Sequence, residues 1–298
     1  MKKVDSLIVD ISGVRLDRFI SEKYPELSRT YAKKLIEDGH ITVNGKTVKA
    51  SLNLNSGDSL SIKIPPPEPS HLVAEDIPLE IVYEDKDLLV IDKPSGLVVH
   101  PAPGNPNHTL VNAVLAHFPG LPDGIDSLRP GIVHRLDKDT SGLILVAKNR
   151  QALNNLSNQF KNRSVTKTYL VLVKGHLSPQ RGFIEATIGR DPNNRKRMAV
   201  VEKGRDARTE YNVIKYIGDC SLLKVRPETG RTHQIKVHLS AIGYPVVGDA
   251  TYGVKSPFIS RQFVHAHCLG FKLPSSGEYI EFKSELPPEL EQALKDIA

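Results

Sequence analysis

Short apolar runs dominate the second part of the chain and predict more strand than helix. Strand-like runs are found at 79–83, 88–91, 142–147, 169–173, 211–216 and 221–225, and Gly131-Ile-Val is a further apolar run of strand type. Apolar residues at helical spacing are found over 109–118 and 150–161. The pattern from about residue 79 onward therefore predicts an α+β body.

The N-terminal part has a different order of elements. Leu16, Phe19 and Ile20 have helical spacing. A second helix is predicted to begin at Ser28, which would cap it, and to end at Gly39. Asn44-Gly45 then suits a two-residue hairpin turn, and an alternating strand follows at 60–64. Two helices and a hairpin predict a small separate domain.

A proline-rich segment, Pro65-Pro-Pro-Glu-Pro69, marks the boundary between the two parts, because consecutive prolines continue neither a helix nor a central strand. A chain of 298 residues also favours two domains. We therefore expect one domain over 13–74 and a second over 79–298.

Composition narrows the classes of partner and location. A net charge of +6 and an isoelectric point near 9.1 favour a polyanionic partner, and the stretch from Lys148 to Lys174 carries six basic side chains and no acidic one. Cys220 and Cys268 lack metal or redox spacing, so a reducing cytoplasm is expected. No segment is long enough to span a bilayer, and the N-terminal apolar run is too short for export.

A dense charged cluster, His134-Arg-Leu-Asp-Lys-Asp-Thr-Ser141, lies between the runs at 131–133 and 143–147. By composition it predicts a turn at the end of a sheet, with Asp137 or Asp139 capping the backbone. Such connections also carry function in many proteins. The exact sequence of the cluster distinguishes a structural turn from a functional loop.

The string HRLDKDTSGL at 134–143 resembles the signature of pseudouridine synthases of the RluA/RluD type. Three further motifs in the same order extend the resemblance to most of the chain after residue 79: 87–101, 167–173 and 230–238, followed by 245–253. The resemblance implies a catalytic domain built on a long mixed, mainly antiparallel sheet with flanking helices and a central RNA-binding cleft. It also implies isomerisation of uridine to pseudouridine.

The resemblance assigns roles to five side chains. Asp137 is the catalytic residue, Arg135 fills the space vacated by a flipped base, and Tyr169 stacks on the uracil. Lys236 stands where the family usually has an arginine that pairs with the catalytic aspartate, so the charge is kept but the bidentate geometry is lost. Arg231 is a further candidate donor to Asp137.

The chemistry requires an anionic oxygen and no cofactor. Asp137 either attacks C1′ covalently or removes the 2′ proton to start an elimination, and the sequence does not choose between these routes. An opposite charge nearby is needed to keep a buried carboxylate ionised.

The N-terminal part resembles the S4 RNA-binding domain through residues 15–19, 28–36 and 39–46. This resemblance implies RNA docking by four basic residues, Arg29, Lys33, Lys34 and Lys46. Residues 1–75 contain 11 basic and 10 acidic side chains, so RNA affinity must come from placement rather than from net charge.

Together the two resemblances predict an enzyme acting on 23S ribosomal RNA or a precursor of the large ribosomal subunit. Another structured RNA such as tRNA is the alternative substrate. A noncatalytic ribosome-associated RNA binder and a glycosidase using Asp139 as second carboxylate are the competing functions. A metal site of His233, His238, His265 and His267 is a further alternative, but no cysteine or acidic spacing accompanies these histidines, and no metal is predicted.

Overall fold

The computed structural model describes residues 3–24, 27, 29–65, 72–102, 104–121, 129–194 and 197–298. These residues divide into two compact units, one within 1–72 and 123–130, the other within 73–122 and 131–298.

The first unit contains two helices and a three-stranded antiparallel sheet. In chain order its elements are β1 (Lys3–Ile8), α1 (Leu16–Lys23), α2 (Arg29–Glu37), β2 (Ile41–Val43) and β3 (Ser59–Ile64). The strand order is β1-β3-β2. Leu16, Ile20 and Leu35 of the two helices pack in one core with Ile41 and Ile62 of the sheet. Both predicted helices are confirmed.

The predicted hairpin is only partly formed. Asn44 and Gly45 adopt positive φ angles of 50° and 73°, as a primed turn requires. Lys46 makes a single bridge to Val43, and β2 pairs instead with β3. The cap at Ser28 and most of the proline boundary lie outside the described residues.

The second unit contains the remaining elements of the chain. They are β4 (Glu80–Glu84), β5 (Leu88–Lys93), α3 (Leu110–His117), β6 (Ser141–Ala147), α4 (Arg150–Lys161), β7 (Thr166–Lys174), β8 (Arg181–Glu185), β9 (Ile188–Arg190), β10 (Met198–Val200), β11 (Arg208–Ile217), β12 (Cys220–Pro227), α5 (Gln234–Ala241), β13 (Val264–Lys272), β14 (Tyr279–Lys283) and α6 (Pro288–Ile297).

One nine-stranded sheet organises the described part of this unit. Its order is β4-β5-β6-β13-β7-β12-β11-β8, with β14 on β13 and a separate small ladder of β9 and β10. β13 runs parallel to β6, and the other pairs are antiparallel. The predicted α+β class and mainly antiparallel mixed sheet are therefore confirmed.

Helices bury both faces of the sheet because continuous apolar strands need cover on two sides. α4 packs on Leu143 and Leu145, and α3 packs on Ile144 and Val146 of the same strand. α5 covers β7 and β12, and α6 covers a cluster that includes Leu172. No helix in the described residues is long and apolar enough to cross a membrane.

The apolar run Gly131-Ile-Val is not a strand, which corrects the sequence prediction. Ile132 makes one bridge to Val146, and Gly131 has a φ of 70°. A Cβ at Gly131 would lie 2.5 Å from the carbonyl oxygen of Ala147, so the close approach to β6 and the positive φ both require glycine at this position. α5 and α6 were not predicted.

Candidate active site

The charged cluster predicted from the sequence forms the loop that enters β6, and a buried lysine supports one side of it. Lys93 donates to the carbonyl oxygens of Pro94, Leu97 and Lys138 at 2.7, 2.9 and 3.0 Å. Burial lowers the pKa of Lys93 to about 7, against the attraction of Asp139. The lysine thus fixes the loop backbone directly after Asp137.

Arg261 supports the other side of the loop from the segment before β13. Its guanidinium group donates to the carbonyl oxygen of Asp139 at 3.1 Å and to the Ser141 hydroxyl at 3.0 Å. It also pairs with Glu289 of α6 at 2.8 Å. The loop is therefore held from two sides and is not a solvated turn.

Asp137 faces two nitrogen groups of α5 and its N-cap. Lys236 Nζ lies 3.9 Å from Asp137 Oδ2, and His233 Nε2 lies 3.9 Å from Asp137 Oδ1. The Asp137 side chain is 24% exposed, whereas that of Lys236 is 7% exposed. Burial lowers the pKa of His233, and the charge of Asp137 opposes that shift. The carboxylate is therefore reachable from the cleft while its countercharge is buried.

Lys236 is shared with a second carboxylate. Its Nζ lies 3.6 Å from Asp249 Oδ1, and Asp249 is almost completely buried. Gln262 accepts a hydrogen bond from Lys236 at 2.7 Å. The aromatic ring of Tyr252 lies below the ammonium group, 5.4 Å from its centroid. The cation is thus enclosed by groups from three segments.

Asp137 opens into a cleft of about 520 Å³ that gathers all five predicted catalytic-domain residues. Arg135, Tyr169, Arg231 and Lys236 line it with Asp137. Burial, followed by the charge of Asp137, raises the pKa of the Tyr169 phenol, so the hydroxyl stays protonated. Arg231 Nε donates to the carbonyl oxygen of Asp206 at 3.1 Å, and no ion pair joins it to Asp137 in the described residues.

Additional cations line the same cleft. Lys161, Arg163 and Lys167 are part of the lining, and burial followed by the charge of Arg163 lowers the pKa of Lys167 to about 8. Glu228 is the one other carboxylate of the described lining, and Arg208 lies 3.4 Å from it. The cleft is consequently suited to a polyanion.

The docking residues predicted on the first unit differ in how freely they present their charge. Arg29 pairs with buried Asp17 at 3.1 Å, and Lys33 lies 3.5 Å from Glu37. Lys34 and Lys46 are exposed. Asp17 also binds Arg15 at 2.8 Å, so it orients two arginines on one surface.

The four histidines of the alternative metal site are used in other contacts. His233 Nδ1 lies 2.9 Å from the Tyr252 hydroxyl, and His238 Nδ1 lies 2.9 Å from that of Thr209. His265 and His267 both reach the carbonyl oxygen of Ser284. Within the described ranges no group of three or more His, Cys, Asp or Glu residues could hold a metal ion.

Three residues of the site were missed by sequence reasoning. His233 and Asp249 lie inside motifs that were recognised, but nothing in their spacing showed that they would meet Asp137 and Lys236. Gln262 lies outside those motifs and more than 120 positions from the catalytic loop along the chain. The pairing of β6 with β13 brings the segment of Gln262 next to the catalytic loop.

Comparison with known proteins assigns the chain to a family. The family model described as RNA pseudouridylate synthase matches residues 87–241, and the S4 domain model matches residues 14–60. The chain therefore belongs to the RNA pseudouridine synthase family, and it is an isomerase that acts on RNA. More narrowly, it is of the RluA/RluD type with an N-terminal S4 domain.

Relatives and solved structures agree with this assignment. An uncharacterised RNA pseudouridine synthase of Chloroflexus aurantiacus is 51% identical over 95% of this chain and 90% of its own length. The ribosomal large subunit pseudouridine synthase D of Zymomonas mobilis is 43% identical over 97% of this chain and 96% of its own. The structure of human RNA pseudouridylate synthase domain containing 1 has a TM-score of 0.59 and 31% identity, covering 77% of this chain and 90% of that one.

Proposed function

We propose that this enzyme converts specific uridines of large-subunit (23S) ribosomal RNA to pseudouridine, with residues 79–298 as catalytic domain and 13–74 as docking domain. Three bacterial relatives named ribosomal large subunit pseudouridine synthase D are 42–43% identical over 94–97% of the chain and support this substrate. A cytoplasmic location follows for an enzyme acting on the RNA of bacterial ribosomes.

Asp137 is the catalytic residue of this proposal, and its placement carries the argument. Isomerisation breaks the bond between N1 and C1′, turns the uracil and joins C5 to C1′, so no atom is gained or lost. Of the two carboxylates in the described lining of the cleft, Glu228 lies 3.4 Å from Arg208. The other, Asp137, lies 3.9 Å from the buried cation of Lys236. Both routes, attack on C1′ and removal of the 2′ proton, use this ionised oxygen.

Lys236 places a positive charge 3.9 Å from the carboxylate in either route. An opposite charge favours the charged form of an acid, and a dry environment strengthens the interaction. Lys236 is 7% exposed and also faces Asp249. We therefore assign it the role of countercharge that the arginine has in related synthases.

Arg135 and Tyr169 complete the site by handling the base. A base must leave its stack before its glycosidic bond can be reached, at a cost of a few kcal/mol. Arg135 is exposed at the cleft edge, where its side chain can replace the extruded base. Tyr169 lies inside, where its ring can stack on the uracil.

Docking is assigned to the first unit. Arg29, Lys33, Lys34 and Lys46 contact phosphates of the RNA in this proposal, since charged side chains of this kind position a protein on RNA without reading its sequence. Arg231 is assigned to the RNA backbone at the cleft, because its contact is with Asp206 rather than with Asp137.

The test is pseudouridine mapping of ribosomal and transfer RNA from cells that lack the protein. We expect specific large-subunit sites to disappear and to return with the wild type but not with Asp137→Asn. Asp139→Asn is the matched control, because Asp139 is an exposed carboxylate of the same loop outside the described lining of the cleft. It should restore the sites.

The other outcomes separate the competing functions. Loss of pseudouridines in transfer RNA alone would make transfer RNA the substrate and leave the catalytic activity as proposed. Restoration by Asp137→Asn would refute the catalytic assignment. Release of free uracil as the main product would favour the glycosidase.

A further inference from the structure

A single buried glutamine connects the catalytic loop to its countercharge. Gln262 is 6% exposed and lies two residues before β13. Its Nε2 donates to the Thr140 hydroxyl at 2.8 Å, and its Oε1 accepts from Lys236 Nζ at 2.7 Å. Both ends of the amide are therefore used, one toward the loop that carries Asp137 and one toward Lys236.

The orientation of this amide follows from chemistry. An ammonium group only donates hydrogen bonds, so the amide oxygen must face Lys236 and the NH2 group must face Thr140. The Thr140 hydroxyl then accepts. A residue with only donors or only acceptors at position 262 cannot make both contacts in this arrangement.

Lys236 needs such a restraint because its ammonium group is a point charge at the end of a flexible side chain. A lysine has a long rotatable stem and lacks the planar fork of arginine. Two carboxylates compete for its Nζ, Asp249 at 3.6 Å and Asp137 at 3.9 Å, and neither is as close as Gln262. The amide therefore determines where the ammonium group lies between them.

The position of Gln262 is itself fixed by its neighbour. Arg261 binds the loop at Asp139 and Ser141, the two residues that flank Thr140. Gly248 permits this segment to approach, because a Cβ there would collide with the carbonyl oxygen of Arg261. The adjacent pair Arg261 and Gln262 thus contacts three consecutive loop residues.

We propose that Gln262 is a positioning residue that fixes the distance between the Lys236 ammonium group and the Asp137 carboxylate. This inference rests on the proposed function, because it takes Asp137 and Lys236 as the reacting pair. Gln262 itself is outside the described lining of the cleft and acts through Lys236 and Thr140. Its removal should affect the chemical step and not RNA binding.

The experiment measures single-turnover pseudouridine formation and RNA Kd for the full-length protein on a transcript of the target region. Gln262→Leu should slow the reaction by about 10- to 100-fold, as small misplacements of reacting groups do, and leave Kd unchanged. Thr140→Val should slow it by a smaller factor. The double variant should be no slower than Gln262→Leu, because both changes break the same connection.

A matched control is Gln159→Leu. Gln159 also bridges two segments through both ends of its amide, donating to the Lys272 carbonyl oxygen at 2.7 Å and accepting from its N–H at 2.9 Å. It lies outside the described lining of the cleft, and its variant should react at the wild-type rate.

Asp137→Asn is measured in parallel to separate the two proposals. If Asp137→Asn retains activity, the proposed function fails whatever Gln262 does. If Asp137→Asn is inactive and Gln262→Leu reacts at the wild-type rate, only the positioning role is overturned. A loss of affinity equal to the loss of rate would also overturn it. If Gln262→Leu does not fold, the isosteric Thr140→Val decides, and a wild-type rate for that variant refutes the role.

Discussion

His134, three residues before Asp137, is held in its neutral form by a backbone hydrogen bond. Leu145 N–H donates to His134 Nε2 at 2.9 Å, so that nitrogen carries no proton. Its ring stacks on Phe160 at a centroid distance of 4.6 Å. Burial and the charge of Lys167 lower the pKa of His134 to about 3. The loop entering β6 therefore depends on a histidine that must not become charged.

This arrangement predicts acid sensitivity of the catalytic unit. The unfolded chain binds a proton at His134 below about pH 6.5 and the folded chain only near pH 3, so stability falls as pH drops through this window. The cost is at most about 1.4 kcal/mol per pH unit, or about 2 kcal/mol between pH 6.5 and 5. Urea unfolding at each pH, followed by hydrogen exchange of the β6 amides, measures this loss of stability.

His134→Gln supplies the control, since glutamine offers an acceptor for Leu145 N–H and does not titrate. The variant should lose less stability than the wild type between pH 7.5 and 5. Equal losses in the two proteins would show that other groups cause the acid sensitivity.

The sequence predicted which side chains line the cleft but not what holds them in place. Asp137, Arg135, Tyr169, Arg231 and Lys236 were selected by family resemblance, and all line one cleft. The partners of Lys236 come from residues 249 and 262, which have no local pattern that points to it. Contacts over such sequence separations depend on the tertiary fold, and periodicity carries no information about them.

Of the two helices that were not predicted, α5 lacks the amphipathic pattern on which such a prediction depends. Gln234 through Leu239 are all buried, including the polar side chains of Lys236 and His238. A helix without an exposed face has no apolar period of 3.6 residues to detect. The β6–β13 pairing could not be predicted either, because it joins strands more than 100 residues apart.

The pairing of β6 with β13 predicts a strict requirement for glycine at position 142. Gly142 has a φ of 108°, and a Cβ there would lie 2.7 Å from the backbone nitrogen of Ala266. Gly142→Ala should therefore lower the free energy of unfolding by about 1–3 kcal/mol through backbone strain. The steric clash with β13 should lower it further. Urea unfolding of the full-length protein measures the change.

Gly104→Ala is the matched control for that change. Gly104 has a φ of 91°, and apart from its chain neighbours no atom of the described residues lies within 4 Å of a Cβ added there, so the change mainly affects the backbone angle. Equal destabilisation by the two variants would contradict the steric part of the prediction.

For the whole molecule, charge is distributed unevenly between a nearly neutral N-terminal segment and a basic remainder. Phosphate contacts of the S4 domain must then come from individual side chains. All four candidate side chains are exposed, but Arg29 and Lys33 have carboxylate partners. Among the described residues no ion pair joins Lys34 or Lys46 to a carboxylate.

We expect the double variant Lys34→Ala, Lys46→Ala to weaken binding of a long large-subunit RNA fragment without slowing the bound reaction. The slope of log affinity against log salt should fall by about 1 to 2, since each lost phosphate contact removes about 0.7 to 0.9. Filter binding at several salt concentrations and single-turnover kinetics measure both effects.

Lys63→Ala is the control, an exposed lysine on β3 to which no docking role is assigned. A double variant with an unchanged salt slope would remove these two lysines from the docking surface. A slower bound reaction would show that they act beyond docking.

The position of β13 between β6 and β7 has a consequence for biosynthesis. Without β13 the large sheet separates into β4-β5-β6 and β7-β12-β11-β8, each with a bare edge. A ribosome makes both halves before it makes the strand that joins them, so the nascent chain exposes two unpaired edges for a time. A chain truncated before residue 264 should consequently aggregate or be degraded, and it should have no partial activity.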